Sequence, residues 1–295
     1  MTTTHNPVPA RPDSGIHRIL VAMDLTAYSD RAFDRAVMLA RENRATLRFL
    51  HVVDPNLLPE RYVDRDIREA RARLELEVKD ADLETHLDVS VNVVTGDTGK
   101  AIVDEAKAIQ ADLIVTGLSQ DASLAGMFRG TTVDKIVRQA RCPVLIVKTR
   151  ARRPYANIAA AIDLEEPSRQ ALDVALRIVP NGRFTILHVD EAARPDMPSG
   201  APNPASIERR HRLEDMVAAR CAAVGRVGPG SEAGPQLIIE GGRALTVLQE
   251  QVARLSPDLV VLGTHGRSGV ANLVLGSVAA TMLEVLPRDV LVARG

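Results

Sequence analysis

Asp258-Leu-Val-Val-Leu-Gly-Thr-His-Gly-Arg-Ser-Gly-Val-Ala-Asn-Leu-Val-Leu-Gly-Ser-Val278 joins an apolar run to a glycine-rich loop and a helix start. Leu259 to Leu262 is a continuous apolar run ending at Gly263, the composition of a strand buried on both faces of a parallel sheet. The segment from Gly276 through Glu284 reads as a helix opening, with the hydroxyl of Ser277 at its start. Glycines at the carboxyl end of a strand followed by such a helix start build a cradle for an anion. Exposed backbone N–H groups and the helix dipole both favour negative charge there. The pattern runs Gly263, Gly266, then nine residues to Gly276 and Ser277.

A damaged copy of this stretch lies upstream: Asp112-Leu-Ile-Val-Thr-Gly117, then Gln120, then nine residues to Gly130 and Thr131. The offset between the copies is 146, and Val144-Leu-Ile answers Val290-Leu-Val at the same offset. Nearer the start of each copy, Ile19 to Asp24 answers Ile158 to Asp163 at 139, and Leu50-His-Val answers Leu187-His-Val at 137. The chain is therefore an internal repeat of two domains, each of roughly 140 residues, a normal size for a unit with its own core. The offset grows by nine between Asp190 and Gly242, so the second half carries an insertion. The Pro/Gly-rich stretch from Ala192 to Ala205 is the obvious seat for much of it. The expected division is a frayed tail over 1–15, a first domain over 16–149, a short exposed linker over 150–156 and a second domain over 157–295.

Within each repeat, short apolar runs alternate with amphipathic stretches, which predicts an α/β fold with a five-stranded parallel sheet and helices on both faces. The expected strands of the first repeat begin at Arg18, Thr46, Val89, Leu113 and Val144. Those of the second begin at Asn157, Phe184, Gln236, Leu259 and Val290. The last strand of each repeat would leave an apolar edge exposed. Placing Val144–Val147 beside Val290–Ala293 across a pseudo-twofold axis removes that liability.

Composition excludes several function classes. A net charge of −1 leaves no electrostatic footprint for nucleic acid or an anionic membrane. Aromatic residues at 2%, with no tryptophan, offer no platform for stacked bases. No apolar run approaches the roughly 18 residues of a membrane span, and the polar segment 1–14 does not read as a signal peptide. Cys142 and Cys221 lie in different repeats without metal-ligand spacing, which fits inert thiols in a reducing, cytoplasmic setting.

In an open parallel sheet, ligands sit beyond the carboxyl ends of the strands, where strand order reverses. Asp24 and Asp163 fall at such ends after strand one, Val52 and Val189 at strand two, and the glycine loop after strand four. A carboxylate, an apolar wall and a phosphate cradle together suit a nucleotide. The plainer reading makes both aspartates helix caps or loop carboxylates. His51 and His188 sit inside apolar strand runs, as hydrogen-bonded core histidines do.

At these residues the chain resembles the universal stress protein family in its tandem two-domain form. ATP-binding members carry Gly-x2-Gly-x9-Gly-Ser/Thr, matched in full by Gly263, Gly266, Gly276 and Ser277. Asp163, His188 and Val189 also look like the family. The resemblance implies a Rossmann-like, adenine nucleotide α-hydrolase-like fold, with Asp163 and Val189 on the adenosine and Gly266, Gly276 and Ser277 on the phosphates. Members commonly pair through the last strand, which a tandem chain can do internally; a protein partner or a homodimer stays open.

The departures point to asymmetric binding. In the first repeat Gln120 replaces the second glycine, intruding where backbone should approach phosphate. Asp121 stands where the second repeat has Arg267, adding negative charge beside the loop. Asp24, Val52, Gly117, Gly130 and Thr131 are thus the weaker candidate set, and ATP is expected mainly in the second domain. Before the last strand, Cys142-Pro143 becomes Arg288-Asp289 in the second repeat. There is no lysine after Lys148 and no phosphate-loop lysine motif. Backbone N–H groups, Ser277 and Arg267 would hold the phosphates, with Mg²⁺ sharing the charge. No residue reads as a catalytic base and no residue set as a metal site. A nucleotide-binding stress-response module is favoured over a slow ATPase or adenylate-handling enzyme using the same cleft. It is also favoured over a scaffold with vestigial sites.

Overall fold

A computed structural model describes residues 15–26, 29–57, 59–83, 85–118, 131–191, 204–264 and 275–293. The first repeat contains β1 (Arg18–Met23), α1 (Ser29–Asn43), β2 (Thr46–Val53), α2 (Glu60–Asp80), β3 (Val89–Thr95), α3 (Thr98–Ala108), β4 (Leu113–Gly117), α4 (Thr132–Gln139) and β5 (Val144–Val147). The second contains β6 (Asn157–Ala161), α5 (Glu166–Ile178), β7 (Arg183–Asp190), α6 (Pro204–Ala223), β8 (Gln236–Gly241), α7 (Ala244–Leu255), β9 (Leu259–Gly263), α8 (Ser277–Val285) and β10 (Asp289–Ala293). The element order is the one expected. Three helices start two or three residues earlier than periodicity places them, α3 at Thr98, α5 at Glu166 and α6 at Pro204. Their first turns hold polar or small residues that contribute little to an apolar stripe.

All ten strands form one sheet in the order β3-β2-β1-β4-β5-β10-β9-β6-β7-β8. Every pairing is parallel except β5 with β10, where Leu145 faces Leu291 in antiparallel register. The order is symmetric about that pair, so two five-stranded parallel domains are joined through their last strands, as the edge argument requires. β5 and β10 are buried along their whole length. One face of the sheet packs against α1, α2, α5 and α6, around Phe49, Leu74, Leu172 and Leu213. The other packs against α3, α4, α7 and α8, around Ile114, Ile136, Leu248 and Met282.

Repeat symmetry extends to backbone detail. Gly96 and Gly242 adopt φ of 144° and 139° in the turns entering α3 and α7, a region closed to side-chain-bearing residues. Gln110 and Ser256 end the same two helices in the left-handed conformation. The insertion falls on both sides of α6. The stretch 191–203 replaces 54–59, and the connection 224–235 is longer than its counterpart 81–88.

The linker departs from the expectation of a wholly exposed connection. Arg150 and Arg152 to Pro154 are exposed, but Tyr155 is only 3% exposed and its hydroxyl donates to Asp289 Oδ2 at 2.6 Å. Asp289 Oδ1 accepts from the backbone N–H groups of Lys148 and Thr149 at 2.8 Å each and from Thr149 Oγ1 at 2.9 Å. Arg35 of α1 lies 3.6 Å from Oδ2 through Nε, and its guanidinium stacks over the Tyr155 ring at 3.8 Å. A fully buried carboxylate must be surrounded by donors and a counter-charge to be tolerated. The linker ends supply the donors and α1 of the first domain supplies the charge.

Candidate functional site

A cavity of about 210 Å³ lies at the carboxyl ends of β6, β7 and β9, in the crevice where strand order reverses. Leu187, Val189, Leu248 and Leu262 form its apolar wall. Asp163, Gly263, Gly276 and Ser277 line the same cavity. The structure therefore brings five of the second-repeat candidates to one place. Gly266 and Arg267 lie outside the described residues, as does His265.

The start of α8 is where the cavity can meet an anion. Gly276 is the N-cap residue and provides no side-chain cap, and no acidic residue occupies the first turn. The N–H of Gly276 itself donates to Thr264 O at 2.7 Å, and Gly276 O takes the first helical bond from Ala280. The N–H groups of Ser277, Val278 and Ala279 are then the unsatisfied donors that every helix start leaves. None of the three has a partner among the described residues. The counterpart helix α4 is arranged oppositely. Thr131 is its N-cap and accepts from Asp134 N at 3.2 Å, and Asp134 puts a carboxylate in the first turn. Ser277, the residue that answers Thr131, is instead the first helical residue. Homologous hydroxyls thus have different positions, one closing its helix start and one standing at an open start.

Asp163 is held in place by the start of α5. Its Oδ1 accepts from Glu165 N at 3.0 Å and is in close contact with Ser168 Oγ, while its own N–H donates to Ser168 Oγ at 3.2 Å. Oδ2 has no partner among the described residues. Asp163 therefore behaves both as a loop carboxylate and as a fixed acceptor on the cavity wall. Gly263 is explained by packing. A Cβ there would stand 2.8 Å from Ser168 N and 3.0 Å from Ser168 Cα, so only glycine lets β9 approach the backbone that positions Asp163.

The charged groups lining the described cavity are Asp163 and Glu191. Glu191 Oε1 accepts from Ala244 N at 3.3 Å and so occupies the start of α7. His188 donates from Nδ1 to Ile162 O at 2.8 Å and is 3% exposed, and His51 makes the same contact with Met23 O at 2.8 Å. Both histidines tie strand two to the end of strand one. Burial pushes the Cys142 thiol up to about 11, far from the reactive range.

In the first domain, Asp24 is exposed, and its Oδ1 is taken up by Thr26 N at 3.0 Å and Thr26 Oγ1 at 2.7 Å. Gly117 ends β4, Thr131 caps α4, and Gly130 lies outside the described residues. Val52 lines a different cavity of about 600 Å³ between the end of β2 and α2, beside Arg65, Asp66 and Glu69. Among the described residues no helix is long and apolar enough to cross a membrane, and no cluster of three or more His, Cys, Asp or Glu could hold a metal ion.

Sequence reasoning missed the buried cluster in which Asp289 at the start of β10 meets Lys148, Thr149 and Tyr155. Arg288-Asp289 in place of a Cys-Pro pair was the signal, since an aspartate beginning a buried strand demands partners.

The sequence profile of the Universal stress protein family matches residues 15–148 and again residues 154–294. A universal stress protein of Mycolicibacterium smegmatis is 25% identical over 94% of this chain and 96% of its own length. The universal stress protein YxiE of Bacillus subtilis is 29% identical over 45% of this chain and 99% of its own length, and so spans one repeat. The crystal structure of a universal stress protein from Archaeoglobus fulgidus superposes with a TM-score of 0.69 at 17% identity, covering 94% of this chain and 98% of that one. That likeness is one of fold.

Proposed function

This chain belongs to the universal stress protein family, and from that premise we propose that it is a nucleotide-binding stress-response protein whose second domain takes ATP as a regulatory or conformational ligand. The observation that carries the reading is the uncapped start of α8, open on a cavity that Asp163 also lines. The cavity, at about 210 Å³, is smaller than typical small-molecule pockets of roughly 300–1,000 Å³. It suits the adenosine end of the ligand, with the phosphates leaving along the start of α8. Leu187, Val189, Leu248 and Leu262 would enclose the base. Asp163 Oδ2 would accept from the ribose hydroxyls or the base amine. The N–H groups of Ser277, Val278 and Ala279 would donate to phosphate oxygens. Gly266 and Arg267 are assigned to the phosphates on sequence grounds. Mg²⁺, when bound, shares the phosphate charge.

Binding without appreciable turnover is the form of this reading that the chemistry favours. Phosphoryl transfer needs a positioned nucleophile and charge stabilisation of the transferred group. The described lining residues include no lysine or arginine, Asp163 is tied to Ser168, and the Nδ1 of His188 is tied to a backbone carbonyl. In the first domain, Thr131 and Asp134 already satisfy and charge the corresponding helix start.

Ser277→Asp separates binding from folding. Ser277 is exposed, and an acidic residue in a first helical turn favours the helix. The substitution should leave the melting temperature unchanged or slightly raised. It should weaken ATP binding by about tenfold or more, because the carboxylate takes the place of the phosphate at the dipole. Calorimetry on the full chain should find about one ATP per chain before the change. Undiminished affinity in Ser277→Asp would remove α8 from the site, and absence of ATP binding by the unaltered chain would end the nucleotide reading.

A further inference from the structure

The second domain's cavity rests on a helix whose far end is held by the first domain. Lys148 follows β5 and sends its Nζ across the junction to the last turn of α8. There it donates to Leu286 O at 2.8 Å and makes a close hydrogen bond to Leu283 O. The carbonyls at a helix C-terminus have no partners within the helix and carry the negative end of the dipole, so an ammonium there satisfies and neutralises them.

Both backbone groups of Lys148 are committed, which aims its side chain. The N–H donates to Asp289 Oδ1 at 2.8 Å, and the C=O accepts from Arg31 Nη1 at 2.6 Å. The position answering Asp289 in the first repeat is Pro143, which has no carboxylate to offer. Of the two positions, that of the second repeat alone therefore supplies the carboxylate that fixes the Lys148 backbone. α8 has nine residues and is about 13 Å long at 1.5 Å per residue, so the two ends of this helix are electrostatically close.

We propose that Lys148 of the first domain is a positioning residue for the nucleotide site of the second, fixing α8 and its dipole from the C-terminal end so that the open N-terminus is presented to the phosphates. The proposal rests on the nucleotide reading given above. It gives the first domain a role in binding at the other domain's site, through one cation supplied across the junction.

Burial pushes the Lys148 ammonium down to about 8, with the nearby Asp289 carboxylate opposing the shift. The charged and titratable groups around the junction are Arg31 of α1, bonded to the Lys148 carbonyl, Asp289 of β10, and Arg35 of α1 and Tyr155 of the linker, which meet Asp289, with Glu284 exposed in the last turn of α8. Burial, reinforced by Asp289, holds the Tyr155 hydroxyl protonated well above its usual range. The folded chain gives up the Lys148 proton before the unfolded chain does. The cost of burying the charge is therefore full below pH 8 and vanishes above the ordinary lysine range, so this group makes stability rise with pH. Nucleotide affinity must run the other way, because the charged form is the one that supports an anion at the opposite end of α8.

The test is ATP affinity of the full chain from pH 7.5 to 9.5, alongside Lys148→Met and Lys148→Arg, with melting temperatures recorded for all three. The unaltered chain should lose about three- to tenfold in affinity across that range as the charge at the helix terminus is lost. Lys148→Met should bind weakly and independently of pH. Lys148→Arg should bind tightly and keep its affinity at pH 9.5, since a guanidinium stays charged. By reciprocity, ATP should raise the pH at which Lys148 titrates. A flat profile in the unaltered chain, or Lys148→Arg behaving as Lys148→Met does while still folded, overturns the proposal. No ATP binding by the unaltered chain at pH 7.5 overturns the nucleotide reading and this proposal with it, whereas binding indifferent to Lys148 overturns the proposal alone.

Discussion

Asp289→Ala should lower the stability of the chain by about 3–5 kcal/mol, the usual cost of removing one partner from a buried charged cluster. Asp289 is wholly inaccessible, and its carboxylate accepts from two backbone N–H groups, the Thr149 hydroxyl and the Tyr155 hydroxyl. Truncation strands all four donors and leaves Arg35, itself 4% exposed, without its counter-charge. Asp289→Asn is the informative companion. It keeps one acceptor for the Lys148 and Thr149 N–H groups but loses the charge facing Arg35, so it should fall between the two. The shift of the urea midpoint measures both. Because the donors belong to the linker and to the first domain, coincidence of the transitions followed by tyrosine fluorescence and by ellipticity should also report whether the domains unfold together. An Asp289→Ala stability within about 0.5 kcal/mol of the unaltered chain, the range of neutral surface changes, would show that the cluster contributes nothing net.

Gly263→Val should be the most damaging change on the cavity wall, costing about 1–3 kcal/mol or more through overpacking. The atoms a Cβ would meet, Ser168 N at 2.8 Å and Pro167 C at 3.0 Å, are backbone at the start of α5 and cannot rotate aside. Relief requires α5 to back away, carrying Ser168 and the Asp163 carboxylate with it, so ATP affinity should fall along with stability. Gly276→Ala makes the contrast. Gly276 has φ −56° and ψ 148°, extended backbone that alanine adopts freely, and its change should cost a few tenths of a kcal/mol up to about 1 kcal/mol as a poorer N-cap. Thermal melts of the two variants should differ clearly. Equal effects would mean that the β9–α5 approach is softer than its distances imply.

These two glycines sit in one sequence pattern, yet different physics holds each. The pattern placed both beside an anion. In the fold, Gly263 is required by the closeness of another element's backbone, while Gly276 leaves a helix start uncapped. No reading of local spacing separates those reasons, because Ser168 lies far from Gly263 along the chain.

Features carried by periodicity and by repetition were legible in the residues alone. Continuous apolar runs such as Leu259–Leu262 and Val144–Val147, too short for helices, read as strands covered on both faces, and are so. The constant offset of Gly263, Gly276 and Ser277 from Gly117, Gly130 and Thr131 made the chain a tandem repeat. The edge argument then paired β5 with β10. The gathering of Asp163, Val189 and Ser277 followed from their places after β6, late in β7 and at the helix start that follows β9. How the halves depend on one another became visible in the folded chain. Asp289 meets Lys148 and Tyr155 across 141 and 134 residues of chain, and Lys148 reaches Leu286 across 138. Those partners are brought together by closure of the sheet at β5 and β10, and a buried charge finds its donors wherever packing leaves them. It was also the tertiary structure that set Thr131 as a cap and Ser277 as a first helical residue. A one-residue difference in where a helix begins depends on how its start is packed, although the acid of Thr131-Thr-Val-Asp134, three residues after its hydroxyl, has no counterpart in Ser277-Val-Ala-Ala280.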